Sequence, residues 1–176
     1  MWNSLVEWAR RKRSPPELRL TELGISKGMT VADVGAGFGY FALPAAEAVG
    51  EGGAVYAIEP DPRRASQISR RAEEEGLGNV RVLVTGAEDM VGVPTGAVDV
   101  AMSMSSFHHF SDQKKALTEL KRVVRPGGVI YIRDMKPGRL SKHGSERTRF
   151  EKTISEQFPG ALFEEDRRFL VARVRN

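Results

Sequence analysis

Val31-Ala-Asp-Val-Gly-Ala-Gly-Phe-Gly39 is a short apolar run that ends in one acid and three glycines spaced two apart. Such a run reads as a buried strand that breaks into a tight turn. Asp33 closes the strand, while Gly35, Gly37 and Gly39 let backbone approach a bound group with no Cβ in the way. The residues that follow are rich in alanine and predict a helix near 39–49. The turn then brings helix N-terminal amides towards the same ligand.

The dinucleotide fingerprint is Gly-x-Gly-x-x-Gly, which seats a pyrophosphate on a helix N-terminus. Here the spacing is Gly-x-Gly-x-Gly, with an acid two residues before the first glycine. That acid repels phosphate and attracts an ammonium group, so a zwitterionic amino-acid tail suits the turn better than a diphosphate. On these residues the chain resembles the class I methyltransferases that use S-adenosylmethionine and release S-adenosylhomocysteine. The resemblance implies cofactor contacts from Asp33, Gly35, Ala36, Gly37, Phe38 and Gly39. Taken alone, the glycines also admit an NAD-type turn or a merely tight one.

One helix later, Ala54-Val-Tyr-Ala-Ile-Glu-Pro60 is a second strand ending in an acid. Carboxyl ends of neighbouring strands in an open parallel sheet share one crevice. In the resembled family, Glu59 accepts both ribose hydroxyls, with Pro60 beside it. The plain alternative is a surface acid at the start of the helix near Asp61 and Pro62. Asn79-Val-Arg-Val-Leu-Val-Thr-Gly-Ala-Glu-Asp89 resembles the family's third strand, which places Gly86, Ala87 and Glu88 at the adenine edge. Many relatives carry Asp where this chain has Gly86, which leaves the Ala87 amide and Glu88 to serve. Ala97 to Ser103 resembles the fourth strand, and Val123-Val-Arg-Pro-Gly-Gly-Val-Ile-Tyr131 the helix, turn and start of the fifth. Within it, proline stops the helix and glycine turns the chain.

Strands near 30–34, 54–58, 80–84, 97–103 and 128–134 alternate with helices near 39–49, 62–76 and 112–124. An amphipathic helix is expected over 2–12, a short one over 17–23 and another near 145–158. Extended segments are expected near 161–165 and 168–175, and no element is assigned to 88–96. Alternation of this kind implies a mostly parallel sheet with helices on both faces, a Rossmann-like α/β sandwich. The resemblance adds a seven-stranded order with one antiparallel strand. At 176 residues and 40% hydrophobic, the chain suits one domain, a helical cap over 1–24 and a core over 25–176.

No stretch approaches the length of a membrane span, and Met1-Trp-Asn-Ser-Leu lacks the pattern of a signal peptide, so a cytoplasmic protein is expected. The chain has no cysteine, which removes disulfides, thiolate metal sites and thiol nucleophiles together. Covalent cytosine-C5 methylation and thiol-dependent arsenic chemistry are disfavoured with them. Net charge is +4, and the positive excess lies at the two ends, in Arg10-Arg-Lys-Arg13 and in Lys136, Arg139 and Lys142. These either ring the pocket for an anionic substrate, such as RNA or an acidic protein, or form solvated basic segments.

Methyl transfer needs a nucleophile aligned behind the methyl group, and the protein mainly positions the reactants. A base helps when the acceptor must lose a proton. His108 and His109, in Ser105-Ser-Phe-His-His-Phe110, and His143 are the candidates, since imidazole exchanges protons near neutrality. The other reading has the histidine pair open the next helix and pack structurally. No metal site is expected, because the two histidines lack further ligands at suitable spacing.

Enzymes that methylate adenine or glutamine nitrogen carry an Asn/Asp-Pro-Pro-aromatic turn after the fourth strand. This chain has Ser103-Met-Ser-Ser106 there, which argues against an exocyclic amine held by that turn. Ser103 and Met104 are read as cofactor-side residues, with Met104 and Phe107 either walling the pocket or filling the core. The strand pattern is most similar to the small-molecule branch of the family, related to quinone methyltransferases, so a small-molecule acceptor is expected. Protein lysine or RNA is the alternative, and a non-catalytic cofactor-binding module, with Trp2 and Trp8 at a partner face, is the other. A monomer or homodimer fits either.

Overall fold

The computed structural model describes residues 15–136, 143–165 and 168–176, with backbone alone for 143–146. The helix expected over 2–12, Trp2, Trp8, Arg10 to Arg13, Arg139 and Lys142 lie outside the described residues, as does the side chain of His143.

Pro16 opens the first described helix, α1 (Pro16–Glu22), where its missing N–H costs nothing. β1 (Thr30–Val34) leads to α2 (Ala42–Val49), and β2 (Ala54–Ile58) to α3 (Pro62–Glu74). Asp61 caps α3 by accepting the Arg63 amide at 2.8 Å, ahead of Pro62 at the first helical position. β3 (Val80–Leu83), β4 (Val98–Met104), a 3-10 turn at Phe107–His109, α4 (Gln113–Val123), β5 (Val124–Met135), α5 (His143–Gln157), β6 (Leu162–Glu165) and β7 (Phe169–Arg175) complete the order.

The strands form one seven-stranded sheet in the order β3-β2-β1-β4-β5-β7-β6. β1 to β5 run parallel, and β7 is antiparallel to both of its neighbours. Strand alternation sends Val31 and Val55 to one face, packed with Leu20, Leu43 and Ile68 of α1 to α3. Ala32, Val34 and Ile58 face Leu117 and Leu120 of α4 and Phe150 and Ile154 of α5. Leu43, Ile68, Leu117 and Ile154 are fully buried, each worth about 1.5–3 kcal/mol of transfer free energy. Three layers result, as the period of the sequence requires.

Two local expectations differ. β5 reaches back to Val124 instead of starting near 128, and its register against β4 shifts between Val98 and Val100. The Arg-Pro-Gly-Gly turn is a bulge inside the strand, held because Gly127 donates to Asn176 O at 2.7 Å and Asn176 returns a bond to Gly128 O at 3.0 Å. The histidine pair does not open α4. It ends the separate 3-10 turn, and α4 starts only after Asp112, whose Oδ1 accepts the amides of Lys114 and Lys115. Residues 88–96 form no helix or strand, yet they are anchored. Glu119 accepts the Met90 amide at 2.9 Å and Arg122 donates to the Met90 and Val93 carbonyls, with Met90 and Val93 in the core. No helix among the described residues is long and apolar enough to cross a membrane.

Candidate functional site

The strand order places β1 and β4 side by side at the point where the winding of the sheet reverses, the position at which α/β sheets open a crevice at their carboxyl ends. A cleft of about 570 Å³ lies there. Asp33, Gly35, Ala36, Gly37 and Phe38 line it from the β1 exit, Glu59 and Pro60 from the β2 exit, and Gly86, Ala87 and Glu88 from the segment after β3. Met104 and His109 contribute from the β4 side.

The three glycines share a left-handed φ and differ in what surrounds them. A Cβ on Gly35 would stand 2.5 Å from Ser106 Cβ, so glycine lets the β1 exit close against the β4 exit. A Cβ on Gly37 would meet nothing within 4 Å, because that residue faces the open cleft. Gly39 is not on the cleft wall. Its missing side chain makes room for Leu43 and Ile68 on the helical side. The turn is held from β2: the amides of Gly35 and Ala36 both donate to Ile58 O, at 2.9 and 3.0 Å. Arg71 of α3 donates to Phe38 O at 3.1 Å. Contrary to expectation, α2 does not begin at the turn; Tyr40 and Phe41 intervene, both lining the cleft, with their rings edge to face at 5.1 Å.

Glu59 is 3% exposed and reaches across from β2. Its Oε2 accepts the Gly37 amide at 2.8 Å and its Oε1 the Asp61 amide at 3.1 Å, so the carboxylate ties the glycine turn to the start of α3. It is a buried group inside the site, not a surface cap. Arg64 approaches Glu59 Oε1 at 4.0 Å and places its guanidinium 5.5 Å from the Phe38 ring. Glu88 Oε1 accepts from the Ser111 hydroxyl at 2.9 Å and the Asp112 amide at 3.1 Å. Its Oε2 lies 2.6 Å from where a Cβ of residue 86 would stand, so the Glu88 carboxylate curls back over Gly86. Burial opposes its ionisation, but these hydrogen bonds outweigh burial and hold the carboxyl below its usual range.

Ser103, read from the sequence as a cofactor-side residue, is fully buried below the cleft. Ser106 Oγ donates to Val34 O at 2.8 Å, so Ser103 Oγ is the donor in its 2.8 Å bond with Ser106 Oγ. The two hydroxyls lock the β4 exit to β1. Phe107 is likewise core, edge to face with Phe110 and Phe150. His108 stands off the cleft, its Nδ1 2.5 Å from Oδ1 of buried Asp134, while its amide donates to Asp134 Oδ2 at 2.8 Å. His109 lines the cleft, its ring tilted 44° against that of His108 with the centroids 3.9 Å apart. Lys136 pairs with Glu165 at 3.0 Å and is not part of the cleft lining. Among the described residues no group of three or more histidines and carboxylates could hold a metal ion.

Sequence reasoning missed Tyr40, Phe41, Arg64, Ser105, Ser106, Phe110 and Ser111 on the cleft. Tyr40 and Phe41 directly follow the glycine turn and could have been found by continuing the loop two residues. Arg64 and Ser111 are brought in by tertiary packing.

A family model described as a methyltransferase domain matches residues 32–132. The ubiquinone biosynthesis O-methyltransferase of Caulobacter vibrioides is 28% identical over 124 residues, 68% of this chain and 48% of that protein. The aklanonic acid methyltransferase of a Streptomyces species is 34% identical over 103 residues, 58% of this chain and 46% of that protein. The crystal structure of a SAM-dependent methyltransferase from Aquifex aeolicus aligns with a TM-score of 0.79 at 27% identity, covering 94% of this chain and 92% of that one. The chain spans about half the length of the curated relatives it matches.

Proposed function

The chain belongs to the S-adenosylmethionine-dependent methyltransferase family, and we propose from that premise that it transfers the cofactor's methyl group to a small-molecule acceptor. One observation carries the reading: the buried Glu59 carboxylate and the open backbone at Gly37 meet in one cleft, joined by a 2.8 Å hydrogen bond. The residues fit the cofactor. Gly37 offers bare backbone to the amino-acid tail, with Asp33 as the acid for its ammonium group. Glu59 is the acceptor for the ribose hydroxyls, with Pro60 next to it. Gly86 and Ala87 edge the purine, and Glu88, held ionised, accepts from its amino group. When bound, S-adenosylmethionine supplies an electrophilic methyl carbon and a thioether leaving group.

The chain's own part is to bind, orient and exclude water. Met104, 8% exposed, gives the β4 wall an apolar surface. His109 is the histidine placed to take a proton from an acceptor in the cleft. His108 stands behind it, held by Asp134, with its ring against that of His109. The small-molecule reading draws on the two relatives named for ubiquinone biosynthesis and for aklanonic acid.

Calorimetric titration with S-adenosylhomocysteine, S-adenosylmethionine and NADH tests the cofactor; micromolar binding of the first two alone is expected. Labelled methyl donor is then offered with metabolite, RNA and protein pools. Label in the metabolites supports the proposal, and label confined to protein or RNA replaces it. Cofactor binding with no transfer to any pool leaves a binding module.

A further inference from the structure

Ser105 is the one non-glycine residue with a left-handed backbone among the described residues, at φ 62°. It lies in the cleft wall immediately after β4, and its amide donates to Arg133 O of β5 at 2.6 Å. Side chains other than Asn and Asp adopt this conformation at a cost, and such residues concentrate where a site dictates the backbone. The three serines of this exit divide their work. Ser103 and Ser106 turn inward and spend their hydroxyls on one another and on Val34 O. The hydroxyl of Ser105 has no hydrogen-bond partner among the described residues.

Placement across the switch point says what that hydroxyl is for. The residues assigned above to the cofactor come from the turns after β1, β2 and β3, one wall of the cleft. The exit of β4, next to that of β1 in the sheet, borders the same cleft and is left for the second reactant. The geometry points to Ser105 as the residue that positions the methyl acceptor, through a hydrogen bond from its hydroxyl to an oxygen nucleophile of a hydroxylated small molecule. A planar amino group presents two N–H donors and needs two acceptors at the exit. Two of the three hydroxyls there are already committed, and one remaining hydroxyl, donor and acceptor in one group, matches a single hydroxyl or its anion. The inference rests on the transfer reaction proposed above.

The test uses the full chain with tritiated S-adenosylmethionine and a cell-derived small-molecule extract, comparing wild type with Ser105→Ala, Ser105→Gly and Ser105→Asn. Removing the hydroxyl in the first two lowers kcat/KM for the acceptor at least tenfold, while affinity for S-adenosylhomocysteine stays within twofold. Glycine also relieves the backbone and raises Tm by about 2–4 °C, whereas alanine keeps the Cβ and does not. Asparagine tolerates this φ, carries a hydrogen-bonding group, and retains at least a third of wild-type transfer. The labelled product is a methyl ether. Wild-type transfer by Ser105→Ala overturns the positioning role, and label in an N-methyl or C-methyl product overturns the oxygen acceptor. If wild type binds S-adenosylhomocysteine but labels nothing in any pool, the transfer reaction itself fails, and this inference with it.

Discussion

The β1 and β4 exits lie side by side on one cleft and are built on opposite plans. After β1 the chain uses glycines, and the wall it offers is backbone, with Gly37 open to the cleft. After β4 it uses serines and histidines, and the wall it offers is side chain, with one serine bent into a conformation glycine would adopt freely. A bare backbone wall suits a ligand that is always the same, since it reads shape and amide pattern. A side-chain wall suits a ligand that varies between family members, since one substitution changes its chemistry. The seam between them is Gly35 against Ser106, where neither wall tolerates extra bulk.

The largest effect is expected at that seam. Gly35→Ala forces a Cβ to 2.5 Å from Ser106 Cβ at φ 79°, and destabilises the fold by about 3 kcal/mol in urea unfolding. Unchanged stability would mean that the two exits are not packed as one unit. Next is Glu59→Gln, which removes a charged acceptor from the first wall. Calorimetry should show S-adenosylhomocysteine binding weakened by about 1.5–3 kcal/mol, and undiminished affinity in a folded variant takes Glu59 out of the site. Gly37→Ala carries the same substitution as the seam variant into open space. A loss of binding of about tenfold, roughly 1.4 kcal/mol, should accompany a stability loss of only about 1 kcal/mol. If Gly35 and Gly37 respond alike, the contrast between packing glycine and cleft glycine is lost.

The smallest effect lies at the far ends of the same two strands. Asp99, on β4, accepts the Thr30 amide of β1 at 2.8 Å and the Arg125 guanidinium at 2.7 Å. Burial works against its charge, but these two partners prevail and keep its carboxyl below the usual range. A depressed carboxyl adds stability above its unfolded pKa and loses it as pH falls through the folded one. Asp99→Asn should therefore cost about 1 kcal/mol at pH 7, with the gap to wild type closing below about pH 4. Cofactor affinity should not move, because Asp99 touches neither exit.

Most of the architecture was legible beforehand because its signals are local. A strand period of two, apolar runs cut by glycine or proline, and acids at strand ends are properties of a few adjacent residues. β1 and β2 were located to the residue, and the ends of α3 and β7 to within one or two. The antiparallel β7 came from resemblance alone, since nothing in Phe169–Arg175 states which neighbour it pairs with. The first wall of the cleft was readable for the same reason, its glycines and Glu59 being marked by residue type and spacing.

The second wall was not. Ser103, Ser105 and Ser106 look equivalent in the chain, and the fold gives one to a buried lock, one to the cleft and one to both. His108 and His109 are neighbours, and only the Asp134 carboxylate, twenty-six positions away in β5, decides that the first is held behind and the second faces the site. By itself the sequence determined the layers, the glycine turn and the acid at the end of the next strand, because short-range sterics and hydrophobic periodicity specify them. Only the tertiary structure decided which hydroxyl and which imidazole face the cleft, because those choices depend on contacts between strands far apart in the chain.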